Sequence, residues 1–142
     1  MSTVVQCLSV RQPWAWAIVE GLKPLENRSR VFNYRGPLLI QASKLPWQEY
    51  EEARVFIKGL TGRTPPPSDA IELGGIVGAV MLTDCLPPIA VAAGWRFADQ
   101  YGLQLERQTR LPFRPIKGFQ RLFGVELTKG EQRALRGAGY RL

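Results

Sequence analysis

Residues 8–29 read LSVRQPWAWAIVEGLKPLENRS, and this stretch decides how the rest of the chain is read. The run leading into it, residues 4–10 (VVQCLSV), is Val-rich and partly alternates apolar with polar residues, which predicts a strand. Pro13 stands where a helix begins, because the first helical position has no use for an N–H. Trp14, Ala17, Ile18 and Leu22 then recur at i, i+3, i+4 and i+8, one face of that helix. Gly21 suits its C-terminal end, and Pro24 blocks any continuation into the polar residues 23–34. Polar groups therefore collect where elements end, which is where sheets and barrels build sites. The helix start also offers free N–H groups to an anion or a carbonyl oxygen.

Working outward, Arg35-Gly36-Pro37 is a turn and Leu38 to Ala42 a short apolar strand. Residues 46–58 (PWQEYEEARVFIK) predict the clearest helix, with Pro first, glutamates early, Lys58 late and Gly59 after it. Residues 59–73, carrying TGRTPPPSD, read as a loop. Residues 74–84 (GGIVGAVMLTD) read as a strand whose glycines signal a bulge, a barrel corner or a close backbone approach. Residues 94–101 are expected to form a short helix, 107–115 and 120–127 two strands, and 129–137 a terminal helix. The expected order is β-α-β-α-β-α-β-β-α, without an internal repeat. That order predicts an α+β fold, a small mixed or mostly antiparallel β-barrel with peripheral helices, over a single domain of residues 1–142. No βα turn carries a phosphate-binding glycine fingerprint.

Composition narrows the chemistry. The chain has 142 residues, 45% hydrophobic and 22% charged, enough to build a core. Lys and Arg total 19 against 12 Asp and Glu, a net charge of +7, which favours anionic partners. There is no histidine, which removes Ser-His-Asp and Cys-His catalysis and His-ligated zinc. Two cysteines, Cys7 and Cys85, cannot make a Cys-only zinc site. They read as free thiols in apolar settings, with a bridge between them left open. No metal and no cofactor are expected. No apolar run reaches the roughly 18 residues of a membrane span, and no export signal is visible, so a cytoplasmic location is expected by default. Oligomeric state is not legible.

Catalysis, if present, runs on Lys, Glu, Asp, Ser, Thr or Tyr. Three stretches qualify: Ser9 to Trp14, Gly21 to Arg28, and Gln41 to Lys44. Lys23 and Glu26 are close enough in sequence to pair, and alternation puts Glu26 and Arg28 on one side of an extended segment. At an arbitrary surface such a pair is worth only about 0–1 kcal/mol. Partly buried, it becomes an acid, base and cation cluster with shifted pKa values. Trp14 adjoins Arg11 and Gln12 and suits a pocket wall. A second basic stretch, residues 107–121 (RQTRLPFRPIKGFQR), holds five cations and no acid, interleaved with Phe113 and Phe119. It reads either as a nucleic-acid track or as two strands with a charged outer face and phenylalanines in the core.

The run LSVRQPWAWAIVEGLKPLENRS resembles the opening of ASCH-domain proteins, members of the PUA-like β-barrel superfamily. Their G-x-K-x-x-E-x-R element is matched by Gly21, Lys23, Glu26 and Arg28. YRGPLLIQASK, GGIVGAVMLTDC and RPIKGFQRLFGVEL resemble the later blocks, so that the likeness covers roughly residues 5–127. The resemblance implies a small barrel with a cleft lined by the first block. PUA-like domains often bind RNA, and several ASCH proteins are small amidohydrolases that release cytidine and a carboxylate from N4-acylated cytidines such as N4-acetylcytidine. In compact bacterial members the catalytic set is a Lys, a Thr three residues later and a Glu further on. Lys23 matches the lysine. Glu26 stands where those members have threonine, so a covalent threonine mechanism does not carry over. Glu72, Asp84 and Asp99 remain candidates for a third carboxylate.

The resemblance implies a metal-independent amidohydrolase acting on a small nucleoside. Lys23, Glu26 and Arg28 are the expected catalytic residues. Ser9, Arg11, Gln12, Pro13, Trp14 and Ser43 are the expected substrate-binding residues. The alternative is a non-catalytic RNA-binding module that uses residues 107–121. Nuclease chemistry ranks lowest, because no carboxylate cluster for metal ions is visible in the sequence.

Overall fold

The computed structural model describes residues 2–142. Six strands and three helices follow in the order β1 (Val4–Arg11), α1 (Trp14–Val19), β2 (Leu25–Arg28), β3 (Gly36–Ser43), α2 (Trp47–Thr61), β4 (Gly75–Leu86), β5 (Tyr101–Pro115), β6 (Phe123–Glu126) and α3 (Lys129–Gly137). All six strands form one sheet in the order β2-β5-β4-β3-β1-β6. β1 and β3 run parallel, and every other pairing is antiparallel.

Period-two patterning explains why this sheet is buried on both faces. Leu8 and Val10 of β1 join Leu38 and Ile40 of β3, Leu103 and Leu105 of β5 and Ile18 of α1 in one core. The alternate residues Val5, Cys7 and Leu39 join Ile76, Leu111, Val125 and Leu135 of α3 in the other. Cys7 and Cys85 are free, and burial pushes the Cys7 thiol up to about 12.

The expected barrel is corrected to an open, curled sheet. Its edge strands β2 and β6 are four residues each, and each pairs with only one neighbour. The curl is nonetheless strong. β2 and β1 are separated by three strands in the sheet order, yet Arg28 Nη2 of β2 donates to the Ser9 carbonyl of β1 at 2.6 Å. The two ends approach and are joined by side chains instead of a backbone ladder, which leaves a seam.

Glycines make the curl possible. The β4–β5 register shifts between Ile76 and Gly78, and a Cβ on Gly78 would meet the Thr109 carbonyl and Val19. A bulge and a close backbone approach therefore occur together, as bends in sheets require.

Three expected elements differ. Residues 94–101 do not form a helix. Gly94 has φ +55, and the Arg96 guanidinium donates to the carbonyls of Pro87 and Gln100, closing a compact loop. β5 starts at Tyr101 instead of 107, so that the expected strand 107–115 becomes one of 15 residues. Residues 25–28, read as polar connection, form edge strand β2 on β5. No helix among the described residues is long and apolar enough to cross a membrane.

Candidate functional site

β1 and β3 run parallel, with Ser9 opposite Gln41 and Arg11 opposite Ser43, so their C-terminal ends finish at the same rim. The seam opens there as a cleft of about 950 Å³. Of the expected residues, Ser9, Arg11, Trp14, Lys23, Glu26, Arg28 and Ser43 all line it.

Its floor is an ion network. Lys23 is 1% exposed and Glu26 8% exposed, so neither has ready access to bulk water. The Lys23 ammonium donates to Glu26 Oε1 at 2.9 Å and to the Leu25 carbonyl at 2.7 Å. An ammonium has three N–H donors, so one remains for a ligand. Arg28 donates to Glu26 Oε2 through Nε (3.3 Å) and Nη2 (3.0 Å). Burial alone would raise the pKa of Glu26, but Lys23 and Arg28 outweigh it and hold the carboxyl below its ordinary 4.5. Glu26 is therefore ionised at neutral pH, the state in which a carboxylate accepts a proton.

Turn geometry brings Lys23 inward. Gly21 has φ +79 after α1, and the backbone N–H groups of Leu22 and Lys23 both donate to the Ala17 carbonyl. The Lys23 ammonium then lies 5.6 Å from the Trp14 ring centroid, a cation–π approach.

Trp14 is one wall of an aromatic cluster. Its ring lies 5.9 Å from that of Phe97 and 5.8 Å from that of Phe56, both edge-on. Asn27 holds Phe97 in place: its carboxamide donates to the Trp95 carbonyl at 2.8 Å and accepts from the Phe97 N–H at 2.9 Å. Opposite, the β5–β6 connection closes over β1. The Phe119 N–H donates to Ser9 Oγ at 3.1 Å, and a Cβ on Gly118 would collide with Gln41 Oε1 and Ser9 Oγ.

Gln12 and Pro13 do not join the cleft. Gln12 is buried elsewhere, its Oε1 accepting from the Trp16 N–H at 2.8 Å and its Nε2 donating to the Glu72 carbonyl at 3.1 Å. It holds the start of α1 to the 59–73 loop. Pro13 is buried beneath α1 and accepts from the Ala17 N–H. Nor do Glu72, Asp84 or Asp99 reach the site. All three are exposed, and Asp84 lies 3.6 Å from Arg35 instead. The further carboxylate that lines the cleft is Glu49 of α2.

Gln41, the first residue of the third candidate stretch, also lines the cleft. Its Nε2 donates to the Ile116 carbonyl at 3.0 Å, which fixes the amide orientation. Its Oε1 is buried and has no hydrogen-bond partner. This oxygen is covered by the close approach of Gly118.

The basic stretch 107–121 does not form one track. Arg107 donates to the Ala138 carbonyl, Arg110 pairs with Glu20, and Arg114 grips Glu131 with two 2.8 Å bonds. Its phenylalanines are not core residues: Phe113 is 37% and Phe119 54% exposed, and Phe119 lines the cleft.

A curled α+β sheet with a Lys–Glu–Arg floor in its open seam defines the class. Residues 8–113 match the ASCH domain family, and the chain belongs to it. It is 39% identical over 82 residues to activating signal cointegrator 1 of Homo sapiens and, to the same extent, of Mus musculus. That match covers 56% of this chain and 14% of each cointegrator. Among solved structures, the ASCH protein of Zymomonas mobilis superposes with a TM-score of 0.53 at 14% identity, covering 93% of both chains. A single-substitution variant of that protein gives 0.52 at 12% identity, covering 93% of this chain and 96% of its own.

Proposed function

We propose that this ASCH domain is an amidohydrolase that cleaves the N4-acyl amide of acylated cytosine or cytidine. The observation that carries the reading is the buried Lys23–Glu26 pair in the lining of a nucleoside-sized cleft beside Trp14.

The acylated base enters the seam against Trp14. The Ser9 or Ser43 hydroxyl donates a hydrogen bond to the base or the sugar. The third N–H of Lys23 polarises the acyl oxygen. Glu26 takes a proton from water as the water oxygen attacks the acyl carbon. Arg28 or Arg11 faces the oxyanion. As the C–N4 bond breaks, Glu26 returns the proton to the leaving amine, whose electrons delocalise into the cytosine ring. The products are cytidine and a carboxylate.

The test is conversion of N4-acetylcytidine to cytidine, followed by its ultraviolet spectrum with chelator-treated protein. Turnover by wild type and none by a folded Lys23→Ala variant supports the reading. No turnover on acetyl or bulkier N4-acyl substrates overturns it.

A further inference from the structure

The seam does not end at the ion network. A second cleft of about 490 Å³ continues from it, between residues 28–33 and residues 120–122, and shares Arg28, Ser29 and Gln120 with the first. Its cations are Arg28, Arg30 and Arg121, and no carboxylate lines it. Arg30 and Arg121 make no ion pair or side-chain hydrogen bond among the described residues, and Arg28 Nη1 makes none either. Arg28 is already paired with Glu26, so the uncompensated cations of this cleft are the exposed Arg30 and Arg121. Their planar donor forks match phosphate oxygens.

We propose that this second cleft is a phosphate subsite, so that the chain takes phosphorylated nucleosides in preference to free ones. The assignment rests on a cytidine derivative occupying the neighbouring cleft. The phosphate has two possible sources, the monoester of a free nucleotide and the diester of an RNA strand. Both present the same oxygens to Arg30 and Arg121.

The experiment measures binding by calorimetry, which needs no turnover and so separates this proposal from the amidohydrolase reading. Cytidine, cytidine 5′-monophosphate and a cytidine-containing dinucleotide are titrated into wild type, into Arg30→Gln/Arg121→Gln, and into Arg133→Gln, which removes an exposed charge from α3. The wild type is expected to bind the monophosphate or the dinucleotide about tenfold more tightly than cytidine. The double variant should bring that ratio close to one, and Arg133→Gln should leave it at the wild-type value. Whichever phosphorylated ligand binds better identifies the source. Equal affinity for all three ligands, no binding at all, or a preference that survives the double substitution overturns the subsite.

Discussion

Among the described residues, Glu26 and Glu131 are both buried against arginine, and of the two only Glu26 lines the cleft in the seam. Glu131, 6% exposed, accepts from Arg114 on both oxygens at 2.8 Å and from the Thr128 N–H at 2.9 Å. Thr128 Oγ1 accepts from the Glu131 N–H in return, which completes a capping box at the start of α3. The network ties α3 to β5, and it lines none of the larger clefts. Glu26 is similarly buried and similarly paired, and Arg28 and Arg114 each keep Nη1 free of hydrogen bonds among the described residues, but Lys23, Glu26 and Arg28 all line the seam. Burial and pairing alone therefore do not make a site. What distinguishes the two networks is that one lines the cleft in the seam and the other does not.

Substitutions separate the two most sharply in catalysis. Glu26→Gln keeps the shape but cannot take a proton, and should lower kcat/KM on N4-acetylcytidine by roughly 10²–10⁴-fold. Glu131→Gln should leave kcat/KM within about twofold while lowering the melting temperature. Stability gives the next contrast. Glu26→Ala leaves the buried Lys23 without its carboxylate, and should cost about 3–5 kcal/mol in denaturant unfolding. Thr128→Ala removes one cap bond and should cost about 1 kcal/mol.

Acid acts on both networks in the same direction. Burial raises each carboxyl and the paired cations more than reverse it, so both Glu26 and Glu131 titrate below 4.5 in the folded chain. Each contributes stability that is complete above the unfolded value and is lost as pH falls through the lowered folded value. Stability should therefore hold down to about pH 4.5 and decline below it, with part of the decline removed in Glu131→Gln. A smaller effect is expected at the wall of the cleft. Trp14→Ala should weaken cytidine binding by about 1–3 kcal/mol, measured by calorimetry, as loss of a stacked aromatic does.

Much of the site was legible because it is local. Lys23, Glu26 and Arg28 sit within six residues, and a proline-started helix with an alternating strand after it suffices to bring them together. Ser9 and Ser43 were legible because each stands near the end of a strand, while the parallel pairing that brings those ends to one rim was not. Gln12 was misplaced because spacing cannot say which way a side chain turns at a helix start, and its own helix takes its acceptor. Glu49 and Phe97 carried no local signal, and Gln41 stood out only as part of a candidate stretch. They reach the cleft through the docking of α2, the Asn27 clamp and the Ile116 carbonyl, contacts that span many residues. The barrel was half-legible: strand content predicted the curl, but the polar edge strand β2 hid the seam where closure stops.

The central claim is that the seam network is chemical and the α3 network structural. Steady-state hydrolysis of N4-acetylcytidine by wild type, Lys23→Ala and Glu131→Gln, each checked for folding by circular dichroism, tests it most directly. The account predicts turnover by wild type and Glu131→Gln and none above background by Lys23→Ala. Equal turnover by folded Lys23→Ala, or no turnover by wild type, would contradict it.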